Sequence, residues 1–246
     1  MQDVLLDYGD ELLPVQVPDT ATVVQHGKTY VDPPQVDPWE ATRRALEKPL
    51  GMPPLCDLVK PGDRVVIAFP DRVKGGAHPL AHRRVAIPLV VEALQKAGVA
   101  LQDITLLCAV GLHRKNTLEE LYWYLGRDLV DAFWPDRLVM HDAEDRTGVL
   151  SLGSDEMGNA VTCNRLAAEA DLTILIGHVQ GNPYGGYSGG YKMAVTGLTS
   201  WSSIRCHHCP STMHRDDFLP ASTHSHMRRQ FDSIGRAMER GTGLKP

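Results

Sequence analysis

KPGDRVVIAFPDRVKGGAHPLAHRRVAIPLVVEALQKAG, residues 60–98, is the stretch from which the fold is read. Lys60–Asp63 signals a turn, Val65–Phe69 is a short apolar strand, and the run from Pro88 is an amphipathic helix closed by Gly98. That β-α unit sets a pattern which the following sequence repeats. Asp103–Gly111 reads as a second strand, and TLEELYWYLG (117–126) as a helix in which Thr117 caps and Glu120 reaches back. RLVMHDA (137–143) is a third strand, GVLSLG and NAVTCN form a hairpin through Glu156-Met157-Gly158, and RLAAEA (165–170) is a short helix. DLTILIGHV (171–179) is a further buried strand leading straight into GNPYGGYSGGYKMAVTG (181–197). Alternating strands and helices predict an α/β fold, a mostly parallel sheet flanked by helices, with ligands beyond the carboxyl ends of its strands. Polar residues in loops 70–79, 111–117, 141–145 and the glycine-rich stretch are therefore expected to converge on one crevice.

Before this regular region, prolines at 14, 18, 33, 34, 38, 49, 53 and 54 limit any long element. Residues 1–50 are read as a short β-rich leading segment packed on the main domain. The chain has 246 residues, 43% hydrophobic and 22% charged, enough to bury a sizeable core. A net charge of -5 with scattered lysines and arginines argues against nucleic acid and for a small-molecule partner. The longest apolar runs, such as Leu172–Ile176, are too short for a bilayer, and the acidic N-terminus lacks a basic leader region. A cytoplasmic location is expected, and the five cysteines, odd in number and irregularly spaced, read as reduced thiols.

Four groups of residues carry chemistry. The glycine loop ends in Lys192, but Tyr191 separates lysine from glycine and Met193 stands where a phosphate loop has Ser or Thr. These departures argue against nucleotide triphosphate hydrolysis, and the spelling does not fit the dinucleotide fingerprint G-x-G-x-x-G either. Backbone N–H groups around Ser188, Gly189 and Gly190 remain able to cradle an anion, and the loop reads equally as a tight turn with a solvated lysine. His113, just past a strand end, suits acid–base work, while Asp71, Arg72 and Lys74 suit a carboxylate or phosphate, or form a solvated charged turn. CHHCPSTMH (206–214) is metal-like, but a single C-x-x-C falls short of a structural zinc site, leaving Cys206, Cys209 and His214 as a weaker zinc set.

The order of these motifs is more specific than any one of them. PPLCDLVKPGDRVVIAFPDR (53–72), DITLLCAVGLHRKNTLEELYWYLG (103–126), HDAED (141–145), EADLTILIGHV (169–179) and GGYSGGYK (185–192), with His208 sixteen residues after Lys192, resemble the nickel-dependent lactate racemases through their N-terminal domain. The resemblance implies a Rossmann-like sheet and a nickel-pincer nucleotide, the Ni(II) pyridinium-3,5-bisthiocarboxylic acid mononucleotide. It implies that Lys192 is covalently joined to that cofactor, that Asp71, Arg72, Ser188, Gly189 and Gly190 help to hold it, and that His208 ligates nickel. Soft sulfur and carbon donors with one imidazole suit square-planar Ni(II).

The implied reaction is racemisation or epimerisation of a 2-hydroxy acid by reversible hydride transfer. His113 matches one of the family's two acid–base histidines, and Lys74 stands in place of an arginine that orients the substrate. Asn182 occupies the position of the second histidine; an amide takes up no proton, and His178 is the nearby imidazole available. Family members continue into a C-terminal domain. The expectation is therefore an N-terminal domain over residues 1–246, as a truncated version, a split version with a separate chain supplying the other half, or a domain cut from a longer chain; the alternative is a non-catalytic or partner-dependent cofactor-binding remnant.

Overall fold

The structure, a computed structural model, describes residues 1–25, 27–217, 223–242 and 244–245. The chain divides into two compact units, Met1–Asp37 and Pro38–Pro246. The first holds an antiparallel hairpin, β1 (Gln2–Tyr8) and β2 (Glu11–Val17), with Tyr8 opposite Glu11. Its leucines are not confined to one face, and Leu5, Leu6, Leu12 and Leu13 are all exposed.

The second unit opens with α1 (Pro38–Glu47), a helix where the prolines predict none. Pro38 occupies the first helical position, where a missing N–H is no loss and the fixed φ favours the turn. β3 (Val65–Pro70) follows, then α2 (His82–Lys96), which begins well before the predicted start and carries Pro88 inside it. The upstream turn holds because Arg83, Val85 and Ile87 are buried with Leu89, Val90 and Leu94, offsetting the backbone bond that Pro88 cannot make. β4 (Ile104–Ala109) leads to α3 (Leu118–Leu125), which has the expected capping box: Thr117 Oγ1 accepts from the Glu120 amide at 3.2 Å, and Glu120 from the Thr117 amide at 2.9 Å.

Then come α4 (Arg127–Phe133), β5 (Leu138–Met140), the hairpin β6 (Val149–Ser154) and β7 (Ala160–Asn164), and α5 (Arg165–Glu169). β8 (Leu172–Leu175) stops short of the predicted Val179, because its partner strand runs out at Pro70 and pairing with β3 ends at Leu175 opposite Ala68. The released chain forms a small hairpin, β9 (Gly181–Asn182) and β10 (Gly186–Tyr187), before α6 (Tyr191–Gly197), α7 (Trp201–His207) and α8 (Pro210–Met213). The longest helix, α9 (His226–Gly241), falls where no element is expected above, and β11 (Leu244–Lys245) ends the described chain. No helix among the described residues is long and apolar enough to cross a membrane.

β11, β8, β3, β4 and β5 form one parallel sheet in that order. Alternate residues of β3 serve opposite faces, as strand geometry requires. Val65, Ile67 and Phe69 pack with α2, α3 and α4 through Ile87, Leu94, Leu121, Tyr124 and Phe133, whereas Val66 and Ala68 pack with Val195, Phe231, Ile234 and Met238 of α6 and α9. The chain leaves β3 for β4 on one side and later returns as β8 on the other, so the order reverses beside β3. The crevice beyond that reversal is where an open parallel sheet binds ligands.

α9 and α6 approach closely at Gly235, where an added Cβ would overlap the Tyr191 ring. Gly235→Ala is expected to destabilise the fold by about 1–3 kcal/mol through overpacking, read as a lower urea midpoint at unchanged slope.

Candidate functional site

A cleft of about 400 Å³ opens at the carboxyl ends of β3, β4 and β8. Its β3 wall is shaped by a residue the motif reading passes over. Arg83, wholly buried, donates from Nη1 to the Pro70 carbonyl at 2.9 Å and to that of Asp71, and from Nη2 to that of Gly76 at 2.7 Å. Its guanidinium lies 4.3 Å from the centre of the Tyr124 ring, whose hydroxyl donates to Asn116 Oδ1 at 2.7 Å. The loop after β3 is thus folded around one cation, with Asp71 and Lys74 facing the cleft.

Asp71 is almost fully buried and sits 2.7 Å, Oδ2 to Nδ1, from His113 in the loop after β4. With Nδ1–H donated to the carboxylate, Nε2 is the free acceptor and the imidazolium form has a charge partner. His178, in the loop after β8, lines the same cleft with its ring 5.7 Å from that of His82. Burial, and then Lys74, lower the His178 pKa, and burial with Arg83 and His178 takes His82 to about 4. Both imidazoles are neutral at neutral pH, and His82 Nε2 is buried without a partner.

The glycine loop contributes Ser188, Gly189 and, from the first turn of α6, Lys192. Burial first, then Lys74 and Arg228, bring the Lys192 amine down to about 8. α6 rests directly on the end of β4: the Gly111 amide donates to the Gly197 carbonyl at 3.2 Å, and an added Cβ at Gly111 would overlap the Thr196 carbonyl. His208, at the end of α7, faces Lys192 across the cleft, and burial followed by Lys192 lowers its pKa. Its Nδ1 lies 2.7 Å from Nδ1 of the fully buried His207, leaving Nε2 for the cleft.

Several expected residues lie elsewhere. Asn182 Oδ1 accepts from the Tyr184 and Gly185 amides at 3.2 and 2.8 Å, fixing its own turn, and Asn182 does not line the cleft. Arg72 pairs with Glu120 at 3.0 Å, and Gly190 caps α6. The HDAED loop does not converge on the crevice either: buried His141 bonds the Thr199 carbonyl at 2.9 Å and Asn164 at 3.0 Å, and Asp142 pairs with Lys115. Cys206 and Cys209 donate to the Ser202 and Cys206 carbonyls, and among the described residues no three His, Cys, Asp or Glu side chains are grouped to hold a metal. Arg83 does leave a sequence signal, a cation at the head of the apolar series Ile87, Val90 and Leu94. Arg228 leaves one too, beside the stripe Met227, Phe231, Ile234 and Met238.

Two amines, a buried carboxylate and three imidazoles thus line one cleft at the switch point of the parallel sheet of an α/β domain. Residues 8–218 match the lactate racemase N-terminal domain, and the chain belongs to that family. It is 28% identical over 210 residues to lactate racemase from Thermoanaerobacterium thermosaccharolyticum, covering 85% of this chain and 47% of the relative. To lactate racemase from Lactiplantibacillus plantarum it is 27% identical over 206 residues, covering 82% and 46%. The chain thus spans about half the length of these relatives. In fold it is similar to the T. thermosaccharolyticum lactate racemase apoprotein, with a TM-score of 0.78, 24% identity, and coverage of 96% of this chain and 54% of that one. A protein from Thermotoga maritima shares the fold at a TM-score of 0.66 and 17% identity, with coverage of 84% and 49%.

The buried imidazoles make stability acid-sensitive. His207 is held neutral in the fold down to about 3 by burial, His208 and Lys192, whereas the unfolded chain takes up that proton near 6.5. Below pH 6.5 the unfolded state binds more protons, so stability present above that pH is lost as pH falls toward 3. By pH 5 His207 alone accounts for about 2 kcal/mol, and urea midpoints at pH 7 and 5 are expected to differ less in His207→Gln than in the wild type.

Proposed function

We propose that this chain binds a nickel-pincer nucleotide and serves as a racemase or epimerase of lactate or another 2-hydroxy acid in the cytoplasm. The observation that carries the reading is a single cleft holding a buried, weakly basic amine at Lys192, a neutral imidazole at His208 and the His113–Asp71 pair. The size suits a mononucleotide, since small-molecule sites run from roughly 300 to 1,000 Å³. The residues fit the group. Lys192, with its amine near 8, would carry the covalent link; His208, neutral and held at Nδ1 by His207, would offer Nε2 to nickel; and Ser188 with Gly189 would border the group in the cleft. Bound there, the nucleotide supplies hydride acceptance and return.

The remaining work falls to side chains of the chain. Lys74 attracts the substrate carboxylate as a point charge, with less orientational control than a guanidinium fork. His113 takes the hydroxyl proton at Nε2, and Asp71, buried and bonded to Nδ1, stabilises the resulting imidazolium. His178, kept neutral by burial and Lys74, takes the second acid–base role that Asn182 cannot fill. Val110, Leu112 and Ile204 give the cleft an apolar share of its lining.

Co-expression with the enzymes that make the cofactor tests this reading. The intact protein is expected to carry the nucleotide mass and about one nickel per chain. Lys192→Ala is expected to remove the adduct, and His208→Ala to lower nickel content at least tenfold while keeping the adduct. A bare polypeptide from the wild-type chain would overturn it. The engagement of Asn182 in its own turn favours a second reading, a carrier that turns over only with a partner. A nickel-loaded chain that leaves the stereochemistry of hydroxy acids unchanged, measured by chiral chromatography, supports that one.

A further inference from the structure

The guanidinium of Arg228, on α9, is wholly buried although no substrate-facing role falls to it. Nε donates to the Gly185 carbonyl at 2.8 Å, Nη2 donates to that of Tyr187, and Cζ lies 3.7 Å from the centre of the Tyr187 ring. Arg228 therefore clamps the turn that leads into Lys192. Its charge has one partner of opposite sign, partly exposed Asp232 at 3.5 Å from Nη1, and Nη1 itself makes no hydrogen bond. Phe231 connects it to the cleft, with its ring centre 5.4 Å from Arg228 Cζ and 5.8 Å from Lys192 Nζ. Two cations thus share one aromatic ring, and one of them cannot lose its proton.

We propose that Arg228 is a positioning residue for Lys192, clamping the Gly185–Tyr187 turn and setting a fixed positive charge against the same Phe231 ring that the Lys192 amine approaches. The inference rests on the reading of Lys192 as an attachment point. The other groups facing Lys192 are Lys74 after β3, His178 after β8, and His207 and His208 on α7. None of these supplies a negative charge; of the carboxylates nearby, Asp71 in the cleft is bonded to His113, and Asp232 on α9 pairs with Arg228. Burial is the larger cause of the weak basicity of Lys192, with Lys74 next; Arg228 adds to both and alone also fixes the backbone.

Trace acetylation of the cofactor-free chain with acetic anhydride across pH 6–10, with the Lys192 peptide quantified by mass spectrometry, reads the neutral-amine fraction directly. In the wild type the midpoint is expected at about 8. Arg228→Gln, folded by circular dichroism, is expected to slow Lys192 labelling at pH 7.5 on the order of threefold. Asp232→Asn, which removes the partial counter-charge, is expected to speed it about twofold. A merely structural Arg228 would change stability and leave the midpoint in place. If Arg228→Gln fails to fold, Asp232→Asn decides alone, and an unchanged midpoint in Asp232→Asn or in folded Arg228→Gln overturns the proposal. Labelling needs no cofactor, so absence of a nickel adduct sinks the cofactor reading without altering this result.

Discussion

The guanidinium of Arg83 is the fixed point around which the cleft is organised. A buried guanidinium seeks acceptors for its N–H groups, and here the backbone carbonyls of Pro70, at the end of β3, and of Asp71 and Gly76, in the loop after it, take Nη1 and Nη2, while Nε has no hydrogen-bond partner. A loop that wraps a cation in this way cannot also relax into the sheet. Asp71 is consequently presented to His113, and Lys74 to the open side of the crevice. Through Tyr124 and Asn116 the same cation reaches the loop after β4, where Asn116 Oδ1 also takes the Arg72 amide at 3.4 Å. Two strand-end loops are held in register by one cation–π contact and the hydrogen bonds at Asn116, so the geometry of the acid–base pair is a property of the fold as a whole.

The parallel sheet was legible because β3, β4 and β8 are short apolar runs between turn signals, and strand–helix alternation leaves few ways to arrange them. The capping box at Thr117 and the hairpin through Met157 were legible for the same local reason. What escaped was set by tertiary contacts. α2 extends upstream of Pro88 because Arg83 and Val85 are buried, and α9 takes its place from a stripe of Met227, Phe231, Ile234 and Met238 with no neighbouring motif to draw attention to it. Within the cleft, Asp71, Lys74, His113 and Lys192 were found by residue type and by their place after a strand, and His178 and His208 through the family resemblance. Arg83 and Arg228, which help to hold them, leave only a cation beside an apolar stripe, and their role, like that of His207, is visible only once their partners are known.

Asn182 and His178 show how one backbone segment trades chemistry for shape. The amide at Asn182 closes the turn over Tyr184 and Gly185, and Gly185 has its carbonyl held by Arg228. An imidazole there would have to reproduce that capping geometry while remaining free to titrate. The segment instead carries its imidazole at His178, where the chain has just left the sheet.

The seam between α6 and the end of β4 differs from the rest of the cleft in being made of main chain. With Gly197 and Gly111 in direct contact and Ala109 beneath them, the distance from the floor to Lys192 is set by peptide geometry and does not depend on side-chain choice. The exposed Val73, Leu112 and Val179 belong to loops around the mouth and carry no such constraint. A redesign that seeks a different occupant therefore has an immovable base and a replaceable collar: breadth and polarity can be rewritten at the opening, while depth is inherited with the backbone.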